Sequence, residues 1–184
     1  ADFTGANLSG ANLTRANLDG ATLLGANLSR VNLSGRDFSG WDLTGANFDH
    51  ASLAGATLTD ANLSGATLTN TDLAGANTVR TNFTRANLVG ANLDGGKFML
   101  GRAILVGANL SGQTLVGFDL QGMDLTGAIL VGANMQQVNL RAANLTNANL
   151  TDADLTGGPS LTTATILSEA TLTGANLTRA NLTG

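Results

Sequence analysis

An all-β solenoid is the fold class that this sequence predicts, and three observations lead to it. A large apolar residue, most often leucine, recurs at every fifth position from Phe3 to Phe98 and again from Leu105 to Leu155. Small residues, mostly alanine, stand two positions before this centre, and glycine is frequent two positions after it. A five-residue period matches neither the 3.6-residue α-helix nor the two-residue alternation of a strand. It predicts a chain that turns a corner after each short straight segment.

Each position of the five-residue block has a predicted role. The centre and the residue two positions before it point to the same side, so both are predicted to face the interior. Burial of one leucine contributes very roughly 1.5–3 kcal/mol, and the crowded interior explains the small partner. Glycine after the centre fits a corner with a left-handed backbone. Asn or Asp just before the centre can hydrogen-bond to the nearby backbone.

These blocks, which follow the motif A(D/N)LXX at Ala6-Asn7-Leu8 and Ala11-Asn12-Leu13, resemble the pentapeptide repeat family over nearly the whole chain. The resemblance implies a right-handed quadrilateral parallel β-helix with four blocks per coil, and hence about nine coils of about twenty residues. Within that family, the gyrase-protecting quinolone-resistance proteins act as DNA-like decoys. Many cyanobacterial members have no assigned role, and others are domains fused to membrane segments, including a protein needed for heterocyst glycolipid localisation.

Four blocks per coil place the centres on four faces, which begin at Phe3, Leu8, Leu13 and Leu18 and are called faces 1 to 4. The register shifts twice, near 99–102 and over 158–164, and Leu161 is predicted to be a displaced centre on face 4. With Leu161 counted as a centre, the last four centres are Leu167, Leu172, Leu177 and Leu182. They are predicted to lie on the faces of Leu145, Leu150, Leu155 and Leu140, respectively. Thr78 is the one polar residue among the centres.

The repeat predicts a single domain over residues 1–184. The chain begins and ends in mid-pattern, whereas solenoids normally carry atypical capping repeats. We therefore expect a domain excised from a longer protein, or one that forms an end-to-end homodimer through its exposed terminal coils. No apolar run is long enough to span a membrane. This segment is not expected to insert, although flanking segments could attach it to one.

The residue inventory offers little for catalysis. Cysteine and tyrosine are absent, and His50 is the single histidine. The Ser and Thr residues fill repeat positions without a positioned base, so no nucleophile–base set can be assembled. The sequence predicts a protein that is not an enzyme, with no cofactor, no metal site and no small-molecule substrate.

Charge argues against a nucleic-acid partner. Nine basic and thirteen acidic residues give a net charge of −4. This balance predicts no nucleic-acid binding and is weak for a DNA mimic, which needs a long and strongly negative surface. A DNA-mimicking inhibitor of DNA gyrase is the alternative function.

Five blocks carry a bulky residue in the slot two positions before the centre, where alanine is usual: Arg36, Trp41, Gln113, Phe118 and Met123. Either this bulk is pushed outward to make a contact surface, or the core is locally wider. Arg36 is the sharpest case, because a buried guanidinium without a partner is costly. It is therefore predicted to be partnered or turned to solvent.

Both register shifts fall at face 4 and its corner with face 1, which is also the edge of Arg36 and Trp41. Loops on one side of a solenoid are often its binding side, although small bulges are also tolerated without consequence. The sequence favours a non-enzymatic scaffold or protein-interaction domain of a bacterial protein, either cytoplasmic or membrane-attached through flanking segments. The candidate contact residues are Arg36, Trp41, Met99, Leu100 and Arg102.

Overall fold

The computed structural model describes residues 1–94, 103–158 and 164–184. The chain forms two compact units, Ala1–Ala103 and Ile104–Gly184. In the described residues most straight segments are single-residue parallel bridges, flanked by turns, and helices are absent. No described helix could therefore cross a membrane.

The first unit is a ladder of parallel bridges with a constant step. The pairs run from Asp2 with Thr22 to Asp72 with Asn92, and the partners are always 20 positions apart. Four five-residue blocks thus separate the two partners. The N–H of most described centres donates to the next coil, as Leu28 does to the Asn47 carbonyl at 2.7 Å. We name the coils of this unit by their residues: coil 1 is 1–20, coil 2 is 21–40 and coil 3 is 41–60.

A tight turn follows nearly every described centre. The carbonyl of Leu23 accepts the N–H of Ala26 at 3.0 Å, and Gly25 between them has a φ of 60°. This left-handed backbone suits glycine, but Asn70, Arg85 and Ala142 also adopt it, at 53°, 57° and 55°. A residue with a Cβ is strained in this region by roughly 1–2 kcal/mol.

The Asn or Asp before each centre fixes the next turn. Asn7 Oδ1 accepts the N–H of Ser9 at 3.1 Å, and Asp42 Oδ1 accepts both the N–H of Thr44 at 3.1 Å and its hydroxyl at 2.6 Å. This local side-chain bond explains why short carbonyl-bearing side chains recur at the position.

The core of the first unit is a set of stacked apolar columns. Leu23, Leu43 and Leu63 are fully buried on face 1, and Ala26 and Ala46 are fully buried beside the face 2 column. Thr78 occupies a buried centre on the face of Phe38 and Leu58, and its hydroxyl has no hydrogen-bond partner among the described residues. It is thus a polar side chain in an otherwise apolar column.

The second unit has the same ladder with one change of step. Asn109 pairs with Ile129 and Asn134 with Asp154, but Asn139 pairs with Ile166, across the segment 158–164. The later bridges keep this longer step, since Asn144 pairs with Thr171 and Asn149 with Asn176.

The predicted faces of the last four centres are therefore wrong by one face. The structure places Leu167, Leu172, Leu177 and Leu182 beside Leu140, Leu145, Leu150 and Leu155. The prediction gave the segment 158–164 a centre of its own, whereas the ladder passes from Asp154 directly to Ile166 as the next paired block. Leu161 itself lies outside the described residues.

Candidate functional site

Arg36 reaches down from coil 2 to the main chain of coil 1. Its side chain is half-buried. Nη2 donates to the carbonyl oxygens of Leu13 and of Ala16, the latter at 2.9 Å. The prediction that Arg36 would be partnered or turned to solvent is confirmed, because its partners are main-chain carbonyls.

The bond to Ala16 replaces a rung of the ladder. Where the ladder is closed, the carbonyl at this block position accepts a main-chain N–H from the next coil, as Arg36 O does from Thr57 at 2.9 Å. For Ala16 that donor would be Asp37, but this bond is absent, and so is the bond from Leu18 N–H to the Asp37 carbonyl. The pairing of Asn12 with Asn32 is missing as well. The ladder between coils 1 and 2 is thus open from residue 12 to residue 18.

A smaller polar residue in the same slot leaves the ladder closed. The hydroxyls of Thr71 and Thr81 donate to the carbonyls of Phe48 and Leu58, each at 2.7 Å, and both threonines are fully buried. The bridges at these positions form normally, for example Ser52 with Asp72. A hydroxyl therefore fits between two coils, whereas the guanidinium of Arg36 occupies the space in which the rung would form.

Trp41 lies next to this opening. The indole is half-buried and meets the ring of Phe38 edge-on, with 5.2 Å between centroids and an interplanar angle of 86°. Its N–H makes no hydrogen bond to a described residue. Trp41 thus presents an aromatic face and a free donor beside the open ladder.

Three cavities open among coils 1 to 3 at this place. Trp41 lines two of them, of about 340 Å³ and 250 Å³, and the third is about 460 Å³. The first is lined by Asn17, Leu18, Asp19, Arg36, Asp37, Phe38 and Trp41. The second is lined by Gly20, Ala21, Thr22, Leu24, Trp41 and Asp42. The third is lined by Asn12, Thr14, Arg15 and Ala16. We call the first two the Trp41 cleft.

The Trp41 cleft carries an excess of negative charge. Asp19, Asp37 and Asp42 line it, and none of them forms an ion pair within the described residues. Hydrogen bonds from the hydroxyl and N–H of Ser39 lower the pKa of Asp37, which keeps this carboxyl ionised. Arg36 is the one cation among the lining residues, and its Nη2 is held by the two carbonyls.

The other residues singled out from the sequence lie away from the Trp41 cleft or outside the described residues. Gln113 and Met123 are buried, which supports the wider-core interpretation for both, and Phe118 is half-buried. His50 is exposed at a corner and contacts Asp49 at 2.8 Å. Met99, Leu100 and Arg102 lie outside the described residues, so the structure brings together only Arg36 and Trp41 of the predicted set.

Asp19, Leu18 and Leu24 belong to the cleft but were missed by the sequence reasoning. A usable signal existed, because each stands roughly one coil before the bulky residues, where an oversized side chain must displace its neighbours. Within the described residues no cluster of acidic or histidine side chains could hold a metal ion. The chemistry of the cleft is therefore that of an aromatic face, carboxylates and free main-chain groups.

Comparison with known families identifies the repeat. A family model for pentapeptide repeats matches in eight copies, over residues 1–35, 37–73, 61–98, 103–141, 132–157 and 163–184. The chain belongs to the pentapeptide repeat family. Members of this family form right-handed quadrilateral β-helices, in agreement with the four-block step of the ladder.

Solved structures agree with this assignment. The chain is 30% identical to HetL from the cyanobacterium Nostoc sp. strain PCC 7120, a pentapeptide repeat protein involved in the regulation of heterocyst differentiation. That similarity has a TM-score of 0.58 and covers 98% of this chain and 82% of HetL. A trypsin-treated form of QnrB1, a plasmid-mediated fluoroquinolone resistance protein, is 18% identical with a TM-score of 0.54, covering 95% of this chain and 88% of QnrB1. The second likeness concerns the fold alone. No curated protein matches the sequence.

Proposed function

We propose that this chain is a non-enzymatic scaffold that displays side chains for contact with other proteins. The observation that carries the proposal is the closed ladder from Asn27 to Asn92, packed on fully buried leucines. Such a ladder holds outward side chains at a fixed separation of about 4.8 Å from coil to coil. A rigid display of this kind lowers the entropy cost of binding a matching surface.

The comparison with HetL supports a regulatory or interaction role in a cyanobacterial setting. HetL is involved in regulating heterocyst differentiation, and the similarity covers nearly the whole of this chain. A finer version of the proposal makes the chain a single domain of about nine coils within a larger, membrane-attached bacterial protein, such as one for heterocyst glycolipid localisation. In that version the predicted contact edge of Arg36, Trp41, Met99, Leu100 and Arg102 faces the partner.

Photo-crosslinking tests the interaction role. The photoreactive amino acid p-benzoylphenylalanine would replace Ser39, whose side chain follows the Trp41 cleft on an exposed turn. Thr178 is the matched control, since it occupies the same block position in the second unit and makes the same hydroxyl bond to the preceding Asn176. In a cyanobacterial extract we expect a discrete cross-linked protein from position 39 that disappears when excess unmodified chain competes. Absence of a competed product from both positions would contradict the proposal.

The alternative is a DNA-mimicking inhibitor of DNA gyrase. The QnrB1 fold is similar, but the net charge of −4 is small for a mimic of a polyanion. Purified gyrase should therefore supercoil relaxed plasmid at the same rate with and without this protein. Dose-dependent inhibition of supercoiling would favour the decoy function over the scaffold.

A further inference from the structure

We infer that the Trp41 cleft is a docking site for an extended segment of a partner protein that carries a Lys or Arg side chain. The inference deepens the proposed scaffold function by naming where the partner binds and what chemistry it presents. It rests on the open ladder, the free indole and the charge of the lining residues, each described above.

The first step is the supply of main-chain partners. Leu18 and Asp37 face each other across the opening, and their N–H groups lack the bonds that the closed ladder makes elsewhere. The carbonyl oxygens of an extended peptide can accept hydrogen bonds from such groups. The cleft therefore offers donors to a main chain, which a small free cation would not use.

The second step is the side-chain subsite. Trp41 separates two cavities of about 340 Å³ and 250 Å³, near the lower end of the roughly 300–1,000 Å³ that ligand pockets occupy. That size suits a single long side chain. A Lys or Arg head group over an indole face gains about 0.5–1 kcal/mol at an exposed site.

The third step is charge complementarity. Asp19, Asp37 and Asp42 surround Trp41, and Asp19 makes neither an ion pair nor a hydrogen bond through its carboxylate to any described residue. Arg36 already gives its Nη2 to two carbonyls. Three carboxylates line the cleft together with the single positive charge of Arg36, so an incoming cation would meet a net negative charge and an incoming anion would meet repulsion. Arg15 lines only the third cavity, so the cation subsite is assigned to the two cavities beside Trp41.

Trp41 makes the test direct, because it is the one tryptophan in the chain. Its fluorescence would be titrated with the peptide acetyl-Thr-Thr-Arg-Thr-Thr-amide. Two further peptides would carry citrulline, a neutral isostere of arginine, or glutamate at the centre. We expect saturable binding of the arginine peptide, with a Kd about fivefold lower than that of the citrulline peptide, and no binding of the glutamate peptide. Equal Kd values for the arginine and citrulline peptides would overturn the inference.

Matched variants locate the effect. Asp19→Asn combined with Asp37→Asn should weaken the arginine peptide about fivefold and leave the citrulline peptide unchanged. Asparagine can still accept the turn bond that Asp37 receives from Ser39, so the local turn should persist. Asp94→Asn is the control, at the same block position as Asp19 but away from the cleft. An unchanged Kd in the double variant would contradict the assigned subsite.

Choline distinguishes the occupant. If choline quenches Trp41 as effectively as the arginine peptide, the cleft recognises a small organic cation and the peptide inference fails. Different results would refute the docking site and the scaffold function. A partner that cross-links to the chain while the arginine peptide does not bind would leave the scaffold function standing and remove only this docking site.

Discussion

Arg36 Nη2 donates to the Ala16 carbonyl at 2.9 Å, and this bond stands where the main-chain N–H of Asp37 would otherwise bind. One side chain thereby exchanges a main-chain rung for a side-chain rung. The exchange leaves main-chain N–H groups of both coils free next to Trp41, where the cavity lined by Arg36 opens.

Removal of the Arg36 side chain should close the ladder. Arg36→Ala places the usual alanine in the slot and frees the Ala16 carbonyl, so the Asp37 N–H can bind it. We expect hydrogen exchange of the Asp37 amide to slow by at least tenfold in the variant. Thr71→Ala is the control, because the ladder is already closed there, and the Asp72 amide should keep its rate. An unchanged Asp37 rate in Arg36→Ala would show that something other than Arg36 holds the coils apart.

Two threonines should respond with opposite sign to the same substitution. Thr78→Val removes a fully buried hydroxyl that has no partner among the described residues, so the free energy of unfolding should rise by about 1 kcal/mol. Thr71→Val removes a hydroxyl that donates to Phe48 O, so the free energy of unfolding should fall by about 1 kcal/mol. Urea unfolding followed by Trp41 fluorescence measures both, and a loss of stability in Thr78→Val would contradict the structure at that position.

Substitution of two adjacent alanines in the second unit by glycine should change the stability in opposite directions. Ala142 is exposed with a φ of 55°, whereas Ala143 is fully buried. Ala142→Gly relieves left-handed strain and should stabilise the protein by up to about 1 kcal/mol. Ala143→Gly removes a packed methyl group and adds chain entropy, so it should destabilise by about 1 kcal/mol or more. Thermal unfolding by circular dichroism ranks the two variants, and destabilisation by Ala142→Gly would be the contrary result.

Acid should weaken the folded state. Paired hydrogen bonds from Arg80 lower the pKa of Asp60 below its ordinary value of 3.8, and Arg179 does the same to Asp152. The unfolded chain binds these protons more readily, so the stabilisation is complete above about pH 4 and is lost as the pH falls through the lower folded pKa. The free energy of unfolding should therefore fall as the pH is lowered below about 4.

Variants assign this acid dependence to the ion pairs. Asp60→Asn and Asp152→Asn should each flatten the profile below pH 4, since neither side chain then takes up a proton. Asp94→Asn, at a carboxylate outside the four ion pairs of the described residues, should leave the slope unchanged. Profiles of equal slope in all three variants would mean that these pairs do not control the acid transition.

The repeat predicted the fold because every block obeys the same local rule. Apolar centres, a small residue before them and a turn residue after them recur in nearly every block, so local pattern and long-range stacking agree. The predicted face of Leu167 was wrong because an inserted segment can either form a paired block of the ladder or be bypassed by it. Periodicity alone does not distinguish these two outcomes.

The cleft could be predicted only in part. Arg36 and Trp41 stood out as too large for their slot, and the cost of an unpartnered guanidinium correctly required a partner for Arg36. The sequence could not show that this partner would be the Ala16 carbonyl, because that depends on how far coil 1 is displaced from coil 2. Asp19 and Leu24 follow ordinary positions in their own blocks and become cleft residues only through the displacement.

Amide hydrogen exchange in the native protein tests the central claim most directly, because each side of the opening contains its own reference. In coil 1, Leu8 N–H is bound to Asn27 O at 2.8 Å while Leu18 N–H is free; in coil 2, Asn27 N–H is bound to Ala6 O at 2.8 Å while Asp37 N–H is free. We expect the amides of Leu18 and Asp37 to exchange at least tenfold faster than those of Leu8 and Asn27. Equal protection of the four amides would contradict this expectation, because the ladder would then be closed and the Trp41 cleft absent.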